Sequence, residues 1–119
     1  MSKTTFRTSA DGKSRIEDIL SRKMFSSGAD IFRAGIAYGL LKYPSADSVP
    51  EAPEAGDSLT YNFGSIDPSN LLAAAIRSNY EFEPDTDVLD LMVKLGEAGI
   101  SLLHEAIMDD EVQTPFELE

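Results

Sequence analysis

Hydrophobic residues recur at intervals of three and four in four stretches of the chain, separated by short breaks rich in Ser, Gly, Pro or acidic residues. An apolar stripe with this spacing predicts an amphipathic helix. The four stripes predict helices over about Ser14–Phe25, from Gly28 or Ala29 to Lys42, over Pro68–Asn79 and over Val88–Met108. The pattern therefore predicts a mainly α fold, a small bundle of four to five helices.

The N-terminal segment has a different period. Lys3–Ser9, "KTTFRTS", alternates between two sets of side chains, which is typical of a short β-strand. One face would carry Thr4, Phe6 and Thr8, and the other Thr5, Arg7 and Ser9. We expect a short N-terminal strand ahead of the first helix, with "ADG" as a break between them.

The second helix has the clearest boundaries. Ser26 or Ser27 provides an N-cap, and Asp30 follows three residues after Ser27, as the acid of a capping box does. Lys42 suits the C-terminal end of the helix dipole, and Pro44 ends the helix.

Two glycines inside this helix predict close packing, because each costs about 1 kcal/mol relative to alanine. The neighbour could be a helix of the same chain or of a second subunit. The residues predicted to form this packed face are Ile31, Phe32, Gly35, Ile36 and Gly39.

The remaining stretches carry weaker signals. Residues 44–65 are rich in Pro, Ala and acid and predict a loop, although "SLTYNFG" within them is compatible with an extended piece. Asp67 and Pro68 are expected to begin the third helix as N-cap and first residue. Thr86 or Asp87 would cap the longest helix, in which "GEAG" at 96–99 marks close packing, a kink or a break. We expect residues 1–43, 44–65 and 66–119 to form one compact domain.

Charge divides the chain unevenly. Residues 1–43 contain eight basic and four acidic residues, a net charge of +4, whereas residues 44–119 contain two basic and 17 acidic residues, a net charge of -15. The total is -11. This polarity indicates a basic N-terminal unit attached to an acidic helical part, and an acidic surface favours a basic protein partner.

The sequence contains few of the residues that catalytic sites commonly use. The chain has no Cys and one His, which leaves few ways to build a nucleophile–base pair or a nitrogen and sulfur metal site. No phosphate-binding or dinucleotide fingerprint is present, and no apolar run or signal sequence indicates a membrane or secretion. We therefore expect a non-enzymatic, cytoplasmic protein with no cofactor, no metal and no membrane contact.

The N-terminal layout resembles a ribbon-helix-helix unit: a strand with alternating Thr and Arg, a helix, a tight turn and a second helix. The stretch "FSSGADIFRAGIAYGL" resembles the second helix of that superfamily. The resemblance implies that two chains pair their strands into a ribbon in the DNA major groove, while the start of the second helix contacts a phosphate. It also implies a homo-oligomer, because a single ribbon strand leaves its backbone unpaired. The candidate DNA-binding residues are Thr5, Arg7, Ser9, Lys13, Ser26, Ser27 and Gly28.

A longer stretch, "SADGKSRIEDILSRKMFSSGADIFRAGIAYGLL", resembles the N-terminal helices of DndE-type accessory proteins of bacterial DNA phosphorothioation systems. The shared feature is a helix, a turn and an "RxG" helix, here Arg33-Ala34-Gly35. The resemblance implies a DNA-associated accessory or regulatory role, with duplex DNA bound through residues 1–43 and a protein partner through the acidic part. Two alternatives remain: an acidic inhibitor or DNA mimic that binds a basic protein, and a plain helical interaction module.

Overall fold

The computed structural model describes residues 5–53, 55–81 and 87–109. Its elements, in chain order, are β1 (Thr5–Ser9), α1 (Ala10–Ser21), α2 (Gly28–Lys42), β2 (Ala55–Asn62), α3 (Phe63–Ile66), α4 (Leu71–Asn79) and α5 (Val88–Met108), with a 3-10 turn at Ala46–Ser48. The protein is mainly helical with a short N-terminal strand in a two-stranded sheet, so the predicted fold class is confirmed.

The partner of β1 lies in the same chain. β1 and β2 form an antiparallel ribbon in which Thr5 is opposite Asn62 and Arg7 is opposite Thr60. The register shifts between Arg7 and Ser9, and at this irregularity the Thr8 hydroxyl accepts a hydrogen bond from the Leu59 amide at 3.0 Å. The segment 44–65 therefore contains a strand as well as a loop. Because β2 pairs the backbone of β1, the ribbon does not require a second copy of the chain.

Helix α1 begins earlier and ends earlier than predicted. Ser9 is its N-cap and accepts a hydrogen bond from the Gly12 amide at 2.9 Å, so "ADG" forms the first helical turn instead of a break. The helix ends at Ser21, and Lys23 takes a left-handed conformation at φ 59°. The apolar pattern alone did not reveal either boundary.

Helices α2 and α5 pack closely against each other and run antiparallel, since Gly35 meets Gly96 and Ile100 while Gly39 meets Leu95. A methyl group on Gly35 would lie 2.9 Å from the Gly96 carbonyl oxygen, and one on Gly39 would lie 2.9 Å from that of Leu95. The glycines are thus explained by a helix of the same chain. α5 runs unbroken through "GEAG", which marks close packing and not a helix break.

The third predicted helix is shorter than expected. Its predicted first residue, Pro68, lies in a turn, and α4 begins at Leu71 after Asn70, which has φ 60°. Asp67 is buried and its carboxylate accepts hydrogen bonds from the amides of Leu72 and Ala73, both at 3.0 Å. Asp67 therefore caps the third predicted helix as expected, but it lies four residues before the first residue of α4, Leu71, instead of directly before it.

The core lies between α5, α1 and α2 and continues under the ribbon. Ile16, Ile19, Ile31, Phe32 and Ile36 are fully buried. The packed face predicted on α2, including Gly35 and Gly39, therefore lies inside the monomer. Among the described residues, no helix is both long and apolar enough to cross a membrane.

Candidate nucleic-acid interface

Where its side chains are described, the outer face of the ribbon carries exposed polar residues. Thr5 and Arg7 of β1 are directly opposite Asn62 and Thr60 of β2, and all four residues are exposed. Residues directly opposite in an antiparallel pair point to the same side of a sheet. The alternation predicted for Thr5 and Arg7 thus places them on one solvent-facing surface. We call Thr5, Arg7, Thr60 and Asn62 the ribbon face.

The inner side of the ribbon holds this face in place. The Phe6 ring lies 4.8 Å from the Phe32 ring and 4.8 Å from the Phe63 ring, measured between centroids. Tyr61, opposite Phe6, lies 6.0 Å from Phe32 and is half-buried, and its burial raises the pKa of its hydroxyl. Aromatic contacts with α2 and α3 therefore support the ribbon from below.

Ser9 does not belong to the ribbon face, although the sequence pattern predicted that it would. It is buried, its hydroxyl donates to a Glu97 carboxylate oxygen at 2.7 Å, and its amide donates to the other oxygen at 3.0 Å. The register shift before Ser9 breaks the alternation on which the prediction relied. Ser9 instead joins β1, α1 and α5.

Glu97 was not singled out in the sequence. Its carboxylate is buried in α5 and lies against Gly12, where a methyl group would approach to 2.8 Å. Two charge-assisted hydrogen bonds from Ser9 compensate part of the cost of burying this carboxylate. An acid within an apolar helix stripe was the signal that could have revealed it.

The start of α2, predicted as a phosphate site, is occupied by contacts within the chain. The Ser27 hydroxyl accepts a hydrogen bond from the Asp30 amide at 3.2 Å, and the Ser26 hydroxyl donates to the Asp30 carboxylate. That bond and the neighbouring Arg33 hold the pKa of Asp30 below its usual range. Gly28 packs so closely on the Tyr61 hydroxyl that a methyl group would overlap it. The anion at this helix start is therefore the chain's own Asp30.

Arg33, the arginine of the "RxG" pattern, has a structural role. Its guanidinium pairs with Asp30 and donates to the carbonyl oxygen of Ser65 at 2.8 Å. The side chain thus links α2 to the last turn of α3. Lys13, the other basic candidate, is half-buried on α1.

Acidic residues lie next to the ribbon face. A cavity of about 400 Å³ beside Thr5 is also lined by Glu51, Asp90 and Lys94. Lys94 pairs with Glu51 at 3.2 Å. Any polyanion that approaches the ribbon therefore meets carboxylates near the Thr5 end, and Arg7 provides the main positive charge of the face. No group of three or more metal-ligating side chains occurs among the described residues.

Comparison with protein-family models, with curated proteins and with solved structures finds no match to this chain. Thr60 and Asn62, half of the ribbon face, were missed as candidates. Their alternation with Leu59 and Tyr61 in "LTYN" was the signal that pointed to a strand.

Proposed function

We propose that this protein is a non-enzymatic, DNA-associated accessory protein that contacts duplex DNA through its ribbon face. The observation that supports the proposal is the intramolecular β1–β2 ribbon with Thr5, Arg7, Thr60 and Asn62 exposed on its outer side. The major groove of B-DNA admits a two-stranded β-ribbon. A single chain thus presents a two-stranded ribbon, whereas the ribbon-helix-helix resemblance implied a ribbon formed by two chains.

The chemistry of the face suits base edges. Arginine makes bidentate hydrogen bonds with guanine, and threonine donates to or accepts from several bases. Side chains two residues apart on a strand are separated by about 6.8 Å, close to two base-pair steps of about 3.4 Å. Thr5 and Arg7 would reach positions about two base pairs apart in the groove, with Thr60 beside Arg7. The Asn62 amide oxygen already caps α3 through the Gly64 amide at 2.7 Å.

Charge limits the strength of this binding. DNA affinity depends on the release of counterions by basic contacts, and the protein has a net charge of -11. We therefore expect weak binding, detectable at low salt and lost at physiological salt. Such affinity suits an accessory that is held near DNA by a protein partner, in a DNA-modification or phage-defence system as the DndE-type resemblance implies.

The test is a fluorescence anisotropy titration of the full-length protein with a duplex of about 20 base pairs at about 20 mM salt. Arg7→Ala is expected to weaken binding about tenfold or more, since a good bidentate contact is worth roughly 1–3 kcal/mol and about 1.4 kcal/mol is tenfold. Arg77→Ala, at an exposed arginine on α4, is the matched control and should bind as the wild type does. Full-length protein is required, because a fragment of residues 1–45 would lack β2.

A further variant tests whether the DNA-contacting ribbon consists of β1 and β2 of one chain or of β1 strands from two chains. Thr60→Ala should weaken binding if β2 forms half of the DNA-contacting surface, whereas a ribbon built from two β1 strands predicts no effect. Circular dichroism spectra that match the wild type would show that each variant is folded. Absence of any wild-type binding at low salt would overturn the proposal and favour the acidic, protein-binding alternative.

A further inference from the structure

A second cavity lies between α1, α5 and the segment 50–53, and Glu51 lines both this cavity and the one beside Thr5. Its volume is about 210 Å³. The residues that line it are Arg15, Tyr43, Pro50, Glu51, Pro53, Glu97, Ala98, Ser101 and Leu102. We call this space the α1–α5 cavity.

The two acids of the α1–α5 cavity already have partners. The Glu97 carboxylate accepts hydrogen bonds from the Ser9 hydroxyl and amide at 2.7 and 3.0 Å. Glu51 pairs with Lys94 at 3.2 Å through one carboxylate oxygen. The acceptors on the wall are thus largely satisfied by donors of the protein.

The hydrogen-bond donors that line the cavity, in contrast, have no acceptor among the described residues. Within the described part of the chain, the Arg15 guanidinium has no ion pair or hydrogen bond, and the hydroxyls of Tyr43 and Ser101 make no hydrogen bond. Arg15 is half-buried, so its charge is partly removed from water. A guanidinium with two nearby hydroxyls and no protein acceptor is complementary to a planar anion, which a guanidinium binds with two parallel hydrogen bonds.

The other residues that line the cavity indicate the polarity, size and charge of the ligand. Pro50, Pro53, Ala98 and Leu102 are apolar and favour an organic stem over a bare inorganic ion. The cavity corresponds to about seven water volumes of about 30 Å³ each, enough for a molecule of roughly six to nine heavy atoms. A single negative charge is favoured over two, because the carboxylates of Glu97 and Glu51 also line the cavity. We infer that the α1–α5 cavity binds a small organic monocarboxylate through Arg15, Tyr43 and Ser101.

The experiment titrates the full-length, isotope-labelled protein with butyrate and with benzoate, and follows backbone amide shifts by NMR. Butyramide is the matched neutral probe, and inorganic phosphate is the matched inorganic anion. Binding of a carboxylate should shift the amides of Ala98, Ser101 and Leu102, and butyramide and phosphate should leave them unchanged. A dissociation constant in the millimolar range or tighter is expected for a ligand of this size.

Arg15→Gln removes the charge of the side chain and leaves a shorter, polar amide in its place. It should weaken carboxylate binding at least about tenfold, while Arg77→Gln should leave the constant unchanged. Ser101→Ala should weaken binding less than Arg15→Gln does, and amide spectra should show that each variant is folded. Unaltered binding by Arg15→Gln would overturn the inference. So would a response to phosphate alone, or no response of the cavity amides to any carboxylate.

Discussion

At the scale of single residues, α2 and α5 approach each other through their backbones. Gly99 of α5 lies against the carbonyl group of Gly35 of α2, with no space for a side chain on either residue. Gly96 of the same helix lies against the Phe32 ring in the same way. Close approach of the two helices, and not flexibility, therefore accounts for these glycines inside helices.

Gly99→Ala is expected to destabilise the fold strongly, because the added methyl would overlap the Gly35 carbonyl oxygen and the backbone cannot move without separating α2 from α5. The loss should reach the upper end of the roughly 1–3 kcal/mol typical of overpacked cores, or exceed it. Urea denaturation would measure the free energy of unfolding.

Gly64→Ala is the matched control. Gly64 is exposed in the short helix α3, and the nearest atom to its added methyl is the Asn62 amide oxygen at 3.0 Å. This oxygen belongs to an exposed side chain that can shift, so the effect should be small. Equal destabilisation by both substitutions would contradict the packing explanation.

At the scale of elements, polar contacts join α1 to α5 along their length. Ser9 bonds to Glu97 near the start of α1, and further along His104 Nε2 lies 2.7 Å from an Asp18 oxygen. The hydrogen bond with His104 and, secondarily, the charge of Arg22 hold the pKa of Asp18 below its ordinary value of 3.8. The two helices are thus joined by carboxylates as well as by apolar packing.

The lowered pKa of Asp18 predicts a pH-dependent contribution to stability. A carboxyl whose pKa is lower in the folded state than in the unfolded state stabilises the fold above its unfolded pKa. That contribution is lost as the pH falls below 3.8, through the folded pKa. Asp18→Asn should therefore lower the urea midpoint at about pH 6, and the difference from the wild type should shrink towards about pH 2.5.

Asp47→Asn provides the comparison, since Asp47 is exposed and lies away from His104 in the 3-10 turn. It should leave the midpoint nearly unchanged at both pH values. If the wild-type advantage over Asp18→Asn were the same at both pH values, the carboxylate would not be its source.

At the scale of the whole molecule, negative charge is poorly balanced. Of the described acids, Asp18, Asp30 and Glu51 form ion pairs with arginine or lysine within the described residues. Glu105 and Asp109 are exposed near the C-terminal end of α5, where the helix dipole disfavours negative charge. A net charge of -11 destabilises the compact state through self-repulsion.

Salt should therefore stabilise this protein. Raising sodium chloride from about 20 to about 300 mM should raise the thermal midpoint, because screening weakens repulsion between exposed carboxylates. The double variant Glu105→Gln/Asp109→Asn should melt at a higher temperature at low salt and respond less to added salt. A midpoint that falls with salt would show that attractive ion pairs dominate instead.

Some features of the fold followed from sequence alone because their causes are local. Lys42 as the last residue of α2 depends on groups a few residues apart, and so do the N-caps, which the sequence narrowed to Ser26 or Ser27 for α2 and to Thr86 or Asp87 for α5. The structure selects Ser27 and Asp87. Thr5 and Arg7 were likewise placed on one face by alternation. The positions that were missed depend on distant partners: β2 forms because β1 is available, and the first turn of α1 contains Gly12 because the Glu97 carboxylate occupies the space of a side chain there.

The sequence by itself therefore determined the mainly helical class, the ends of α2 and α5 and the uneven charge, since periodicity, capping and composition act within a few residues. Only the tertiary structure decided that the ribbon closes within one chain, that Ser9 turns inward to Glu97 and that Asp30 takes the anion position at the start of α2. It also placed the Arg15 side chain on the wall of a cavity. These contacts join residues up to 88 positions apart, and no local pattern specifies which distant residue a chain will bring to a given side chain.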